Sequence, residues 1–165
     1  MTQQQYEIPI TQLTYHQELS EQQRTTIREA IDILESRIRN PQAFASPDAV
    51  RDFCRLHLVT ERDEQFCCLF LDSKHRLIVF ERLFTGTVDG ASVYPRVVVR
   101  RALELNAAAV IFAHNHPSGQ PEPSQADIRI TENLKSSLAL VDVRVVDHLV
   151  VALEGSISFA ERGLI

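Results

Sequence analysis

The stretch FAHNHPSGQPEPSQAD, Phe112 to Asp127, decides how the chain is read. It sets two histidines one residue apart at the end of an apolar run. A proline-rich turn follows, and then a serine and an aspartate at helix-start spacing. Side chains at i and i+2 of an extended segment point the same way. His114 and His116 can therefore converge on one ion, with Asn115 facing away. Neutral imidazole is a common zinc ligand. The loop from Pro117 to Pro123 turns the chain back, and Ser124 starts a helix with Asp127 in its first turn. Asp127 can complete a two-histidine, one-carboxylate set and leave a fourth position to water, which is the arrangement of catalytic zinc. Iron or nickel also suits such a set. Ser124-x-x-Asp127 before an apolar run is a helix capping signal on its own. The two readings are compatible: Ser124 caps the helix and Asp127 binds the metal.

Outward from this stretch, the apolar pattern lays out the rest. Residues 1–19 are polar and unpatterned and read as an extended or mobile arm. Ser20 and Gln23 have capping-box spacing, and Ile27, Ile31, Leu34 and Ile38 make one helical face that Asn40-Pro41 ends. A second helix starts at Ser46-Pro47, with Val50, Phe53 and Leu56 on one side. QFCCLFLD (65–72) and RLIVFERLF (76–84) are apolar runs around the turn residues of DSKHR, so they read as an antiparallel hairpin. TGTVDGAS (85–92) is a loop. Pro95 opens a helix with Val97, Val98, Arg101, Ala102 and Leu105 in a stripe. AAAVIFAH (107–114) is a buried strand that ends at the histidines. The helix from Ser124 turns Ile128, Ile130, Leu134, Leu138 and Val141 to the core. Two strands, within 142–153 and 156–161, close the chain. The order α-α-β-β-α-β-α-β-β predicts an α/β fold, a mixed sheet flanked by helices.

A metal-activated water needs a proton acceptor, and a nearby carboxylate is the usual one. Glu64, Glu81 and Glu122 could reach the histidines. Glu122 lies in the exposed loop, Glu81 inside the second apolar strand, and Glu64 at the mouth of the first. Spacing alone does not choose between Glu64 and Glu81. His148 follows Asp147 in an apolar strand and reads as a hydrogen-bonded sheet histidine or as a support to the ligands. His16, His57 and His75 look like surface or helix residues. Arg96, Arg100 and Arg101 form a basic cluster, read as a solvated face or a partner contact, with a nucleic-acid patch as the lesser alternative.

Composition narrows the function classes. The 165 residues suit one domain with a real core, and 44% apolar content is that of a globular chain. A net charge of −5 matches a phosphate backbone poorly. Cys54, Cys67 and Cys68 are odd in number and two are adjacent, which fits neither a disulfide framework nor C-x-x-C metal spacing. They read as reduced thiols in the core of a cytoplasmic protein. The N-terminus lacks the basic start and apolar core of a secretory signal, and no apolar run approaches membrane-spanning length, so no membrane partner is expected.

His114-x-His116, seven residues, Ser124, two residues and Asp127 together are similar to the signature of the JAMM (MPN+) metalloprotease superfamily, H-x-H-x(7)-S-x(2)-D. AHNHPSG, EPSQADIRIT, VDHLVV and RLFTGTVDGASVYPR resemble its RadC branch, whose members have been labelled DNA repair proteins. The resemblance covers residues 46–165, with residues 1–45 as an N-terminal arm and helix. It implies a cytidine-deaminase-like (JAB/MPN) three-layer fold, a bound zinc ion, and His114, His116 and Asp127 as its ligands. DEQFCCLFL is similar to the superfamily segment that carries the water-activating glutamate, which selects Glu64 over Glu81. The superfamily serine that supports the oxyanion corresponds to Ser124. Longer members carry an N-terminal helix-hairpin-helix region suggestive of DNA binding. Residues 1–45 are too few for that module and a linker, so a direct role on nucleic acid is not the leading expectation.

Two function classes follow. One is a zinc hydrolase acting on a peptide or isopeptide bond of a peptide or protein substrate. The other is a binding module that serves DNA metabolism, or defence against foreign DNA, without turnover. Base deamination shares the fold class but needs a Pro-Cys-x-x-Cys zinc site, which this sequence lacks.

Overall fold

In the computed structural model, residues 19–38, 46–86 and 92–165 are described. They form α1 (Glu21–Ile38), α2 (Pro47–Leu58), β1 (Gln65–Leu71), β2 (Leu77–Thr85), α3 (Pro95–Glu104), β3 (Ala109–Asn115), α4 (Gln125–Ala139), β4 (Arg144–Ala152) and β5 (Gly155–Ser158). This is the predicted order. The expected arm, the Asn40-Pro41 stop and most of the 85–92 loop lie outside the described residues.

The strands make one mixed sheet in the order β2-β1-β3-β4-β5. β1 pairs antiparallel with both β2 and β3, β3 runs parallel to β4, and β4 turns back into β5. The parallel step needs a crossover, and α4 supplies it.

Burial on both faces explains why β1 and β3 read as unbroken apolar runs. Cys67, Leu69 and Leu71 of β1, with Ala109, Ile111 and Ala113 of β3, pack beneath α2 through Val50, Phe53, Cys54 and Leu58. The alternate residues Phe66, Cys68, Phe70, Val110 and Phe112 pack beneath α3 and α4 through Val98, Ala102, Leu134 and Leu138. The result is helix, sheet, helix: the predicted mixed α/β sheet flanked by helices. Phe53, Phe70 and Phe112 are fully buried, each worth roughly 1.5–3 kcal/mol of transfer free energy, so the strand ends sit on a stiff base.

Three local readings differ from expectation. Cys54 and Leu58, not Leu56, complete the buried side of α2, and Leu56 is half-buried on its flank. Ser46 sits at the N-cap position of α2 without a side-chain capping bond. Arg101 is no solvated charge: its Nε donates to Glu81 at 2.7 Å and its Nη1 to Glu104 at 3.0 Å. Asn106 and Asp142 take left-handed φ values of 50° and 57°, which end α3 and α4 with Ala107 N donating to Ala102 O and Val143 N to Leu138 O. Among the described residues, no helix is long and apolar enough to cross a membrane.

Candidate metal centre

The site is built where β3 runs out. His114 points to the α3/α4 side of the sheet, the side of Phe112 two residues earlier, and is 1% exposed. The chain leaves the strand at His116, whose backbone N–H still bonds Val151 O at 2.8 Å. It then turns at Gly119, where φ of 91° suits glycine alone, and Glu154 N clamps Gly119 O at 3.1 Å. Arg162, near the C-terminus, holds the same loop through Glu122 at 2.6 Å.

The loop delivers α4 back to the strand end. Ser124 caps it with the full capping box: its hydroxyl accepts from Asp127 N at 3.2 Å, and Asp127 Oδ2 accepts from Ser124 N at 2.7 Å. The same Asp127 carboxylate faces the histidines, with Oδ1 3.5 Å from His114 Nε2 and Oδ2 3.4 Å from His116 Nε2. The two Nε2 atoms are 3.0 Å apart. His114, His116 and Asp127 form a group of ligand atoms all within 4.8 Å of one another. Ligands at the usual 2.0–2.1 Å from a tetrahedral zinc lie roughly 3.3 Å apart, so the triangle has the right size.

The hydrogen bonds behind the rings orient their protons. His116 Nδ1 lies 3.0 Å from Gln120 O, a carbonyl that can only accept, so Nδ1 carries the proton. Behind His114, its Nδ1 is 2.8 Å from His148 Nε2, and His148 Nδ1 is 2.6 Å from Thr131 Oγ1. Thr131 donates its own proton to Asp127 O at 2.6 Å. That leaves His148 Nδ1–H to donate to Thr131, His148 Nε2 to accept, and His114 Nδ1–H to donate to it. In neutral rings both Nε2 atoms then carry lone pairs, and both face a carboxylate. Three electron-rich atoms this close call for a proton or a metal cation among them. The donor set fits a divalent metal, zinc being one such ion.

A proton can fill the same place as a metal: burial pulls the Asp127 carboxyl upward, but hydrogen bonds donated from the Nε2 side of His114 and His116 outweigh it and hold the group well below the usual carboxylate range. The Asp127 hydrogen bond raises His116, against burial, and the Glu64 carboxylate adds a further pull. Burial keeps His148 well below the usual histidine value, with the neighbouring His114 charge adding to it, so this ring is neutral.

The candidate glutamates lie in different places. Phe66 of β1 pairs with His114 across the antiparallel ladder, and Glu64, two residues before Phe66 and just outside β1, is near enough for its charge to act on His116. Glu81 pairs with Cys68, deeper along the sheet, and its carboxylate is occupied by Arg101. Glu122 is exposed and bound to Arg162. Ser124 is next to the ligands through its cap. Asp147 leaves the His148 ring alone; it accepts from His148 N, Ala160 N and Ser158 Oγ and so secures the C-terminal turn.

His148 takes the supporting place behind His114, and Thr131, which the spacing does not single out, joins it. A histidine inside an apolar strand, with a threonine one turn after Asp127, was the available signal.

The profile of the RadC-like JAB domain matches residues 44–164. A UPF0758 protein of Vibrio cholerae is 58% identical over 137 residues, which is 83% of this chain and 86% of that one. A second from the same organism is 53% identical over 149 residues, 90% of this chain and 94% of that one. A UPF0758 protein of Methylibium petroleiphilum is 59% identical over 132 residues, 80% of this chain but 60% of the longer relative. With the sheet, the helix layers and the histidine–aspartate cluster already in place, these matches show that the chain belongs to the RadC-like JAB domain family.

Proposed function

We propose that the protein is a zinc-dependent hydrolase of peptide or isopeptide bonds. The observation that carries this reading is the convergence of two histidine lone pairs and one carboxylate at a strand end, with Glu64 beside them. A bound zinc ion would lower the pKa of its water and polarise the scissile carbonyl. His114, His116 and Asp127 are the three protein ligands, and a three-ligand set leaves room for water and substrate. Glu64 accepts the water proton on its carboxylate and returns it to the leaving amine. Ser124 offers its hydroxyl proton to the developing oxyanion, while its oxygen stays in the helix cap. The substrate is a peptide or a protein. We place the protein in the cytoplasm, because its three cysteines are buried free thiols, which suits a reducing compartment.

The test compares wild type, Glu64→Gln and His116→Ala, each supplied with zinc, on a peptide and isopeptide library read by mass spectrometry. Cleavage by wild type should fall about 100-fold or more in Glu64→Gln with zinc content retained. His116→Ala should lose both zinc and cleavage. Cleavage that persists in both variants overturns the proposal.

A further inference from the structure

Asn115 stands between the two ligand histidines in sequence, on the opposite face of β3, and is 2% exposed. Its side chain reaches across to the segment that precedes β1. Oδ1 accepts from Gln65 N at 2.8 Å, and Nδ2 donates to Asp63 O at 3.1 Å and Glu61 O at 3.3 Å. The three bonded groups bracket Glu64 on both sides. The β1–β3 ladder itself stops at Phe66 and His114, so the Asn115 amide continues the link where backbone pairing ends. From the other flank, Gly86 N donates to Glu64 O at 2.8 Å and Thr85 Oγ1 to Gln65 Oε1 at 2.8 Å.

We infer that Asn115 is a positioning residue for Glu64, tying the carboxylate to the strand that carries the metal ligands. This rests on the reading of Glu64 as the base. One backbone segment alternates the two tasks: His114 and His116 turn to one face toward the metal, and Asn115 turns to the other toward the base loop. A shift of the strand end therefore moves ligands and base together. The chemistry of the residue is specific. One acceptor and two donors are required in one plane, and a primary amide on a short stem supplies all three. Aspartate keeps the acceptor but sets a carboxylate against two carbonyl oxygens. Leucine keeps the size and loses every bond.

The test uses the full chain with Asn115→Leu and Asn115→Asp, alone and combined with Glu64→Gln. Hydrogen exchange at the Gln65 amide should quicken at least about tenfold in Asn115→Leu, beyond any change in the slowest core amides. Zinc affinity, read by chelator competition, should stay within about threefold, because the ligands are on the other face. With the substrate found for wild type, kcat should fall about 100-fold with KM little changed. Asn115→Leu should add nothing to Glu64→Gln. If Asn115→Leu does not fold, the same measurements on Asn115→Asp decide. Unchanged Gln65 exchange, unchanged kcat, or a loss that multiplies with that of Glu64→Gln overturns the inference. Failure of the underlying reading shows separately, as full activity in Glu64→Gln itself.

Discussion

His148 Nε2 lies 2.8 Å from His114 Nδ1, and the His148 ring has no exposed surface. One buried histidine thus takes the proton that another presents, where carboxylates or backbone carbonyls usually do so. Because His148 is fixed in turn by Thr131, and Thr131 by Asp127 O, the chain of bonds leaves one ligand and returns to another.

That chain predicts the effect of cutting it. His148→Phe and Thr131→Val should each weaken zinc binding about 10- to 100-fold, by loss of the ring orientation of His114. Chelator competition measures this. Wild-type affinity in both variants would remove any role for the relay.

Ser124 caps α4, and substitutions can separate that cap from the proposed oxyanion role. Ser124→Ala should cost about 1 kcal/mol in denaturant unfolding, and Ser124→Gly only a few tenths, because glycine tolerates the N-cap position. Both lack the hydroxyl, so both should lose a similar factor in kcat, about 10²-fold or more. Hydrolysis that tracks the unfolding difference would reduce Ser124 to a cap.

His57 gives stability a pH dependence. Its ring packs between Phe53 and Phe80, with centroids at 4.3 and 4.7 Å. Burial, with Arg82 nearby, lowers its pKa from 6.5 to about 4. The unfolded chain binds the extra proton first, so stability is full above 6.5 and falls as pH drops from 6.5 toward 4. In urea melts at pH 7 and pH 5, His57→Phe should narrow the difference in midpoint. His148 contributes with the same sign, so part of the slope remains. An undiminished slope in His57→Phe would contradict the assignment.

Glu81 supplies the control for Glu64. Its pair with Arg101 is partly exposed, so Glu81→Gln should cost about 1 kcal/mol of stability. Zinc content and hydrolysis should be those of wild type. A loss of hydrolysis like that of Glu64→Gln would reopen the choice of base.

Much of this layout was legible in the sequence because glycine, proline and capping residues punctuate the apolar runs. The histidine–aspartate cluster was legible too, since a strand end, a short loop and a first helical turn bring His114, His116 and Asp127 together within fourteen residues of chain. What was not legible depends on pairing between distant strands. Glu64 and Glu81 both stand at apolar strands, and only the register of β1 against β3 separates them. His148 became a partner of His114 through the parallel ladder that sets it beside Phe112. Asn115 was rightly turned away from the metal, but its partners lie 50 to 54 residues earlier. On α2, the spacing that linked Val50, Phe53 and Leu56 drifts around the helix, and only the packed sheet shows that Cys54 and Leu58 hold the inner side.

Asp127 is held by the first turn of its own helix as well as by the histidines. Its orientation is therefore settled when the polypeptide folds, before any cation arrives. The entropy lost in gathering the ligands falls on folding and not on capture of the ion. A metal meets a finished socket, and its departure leaves the carboxylate still gripped by the helix end.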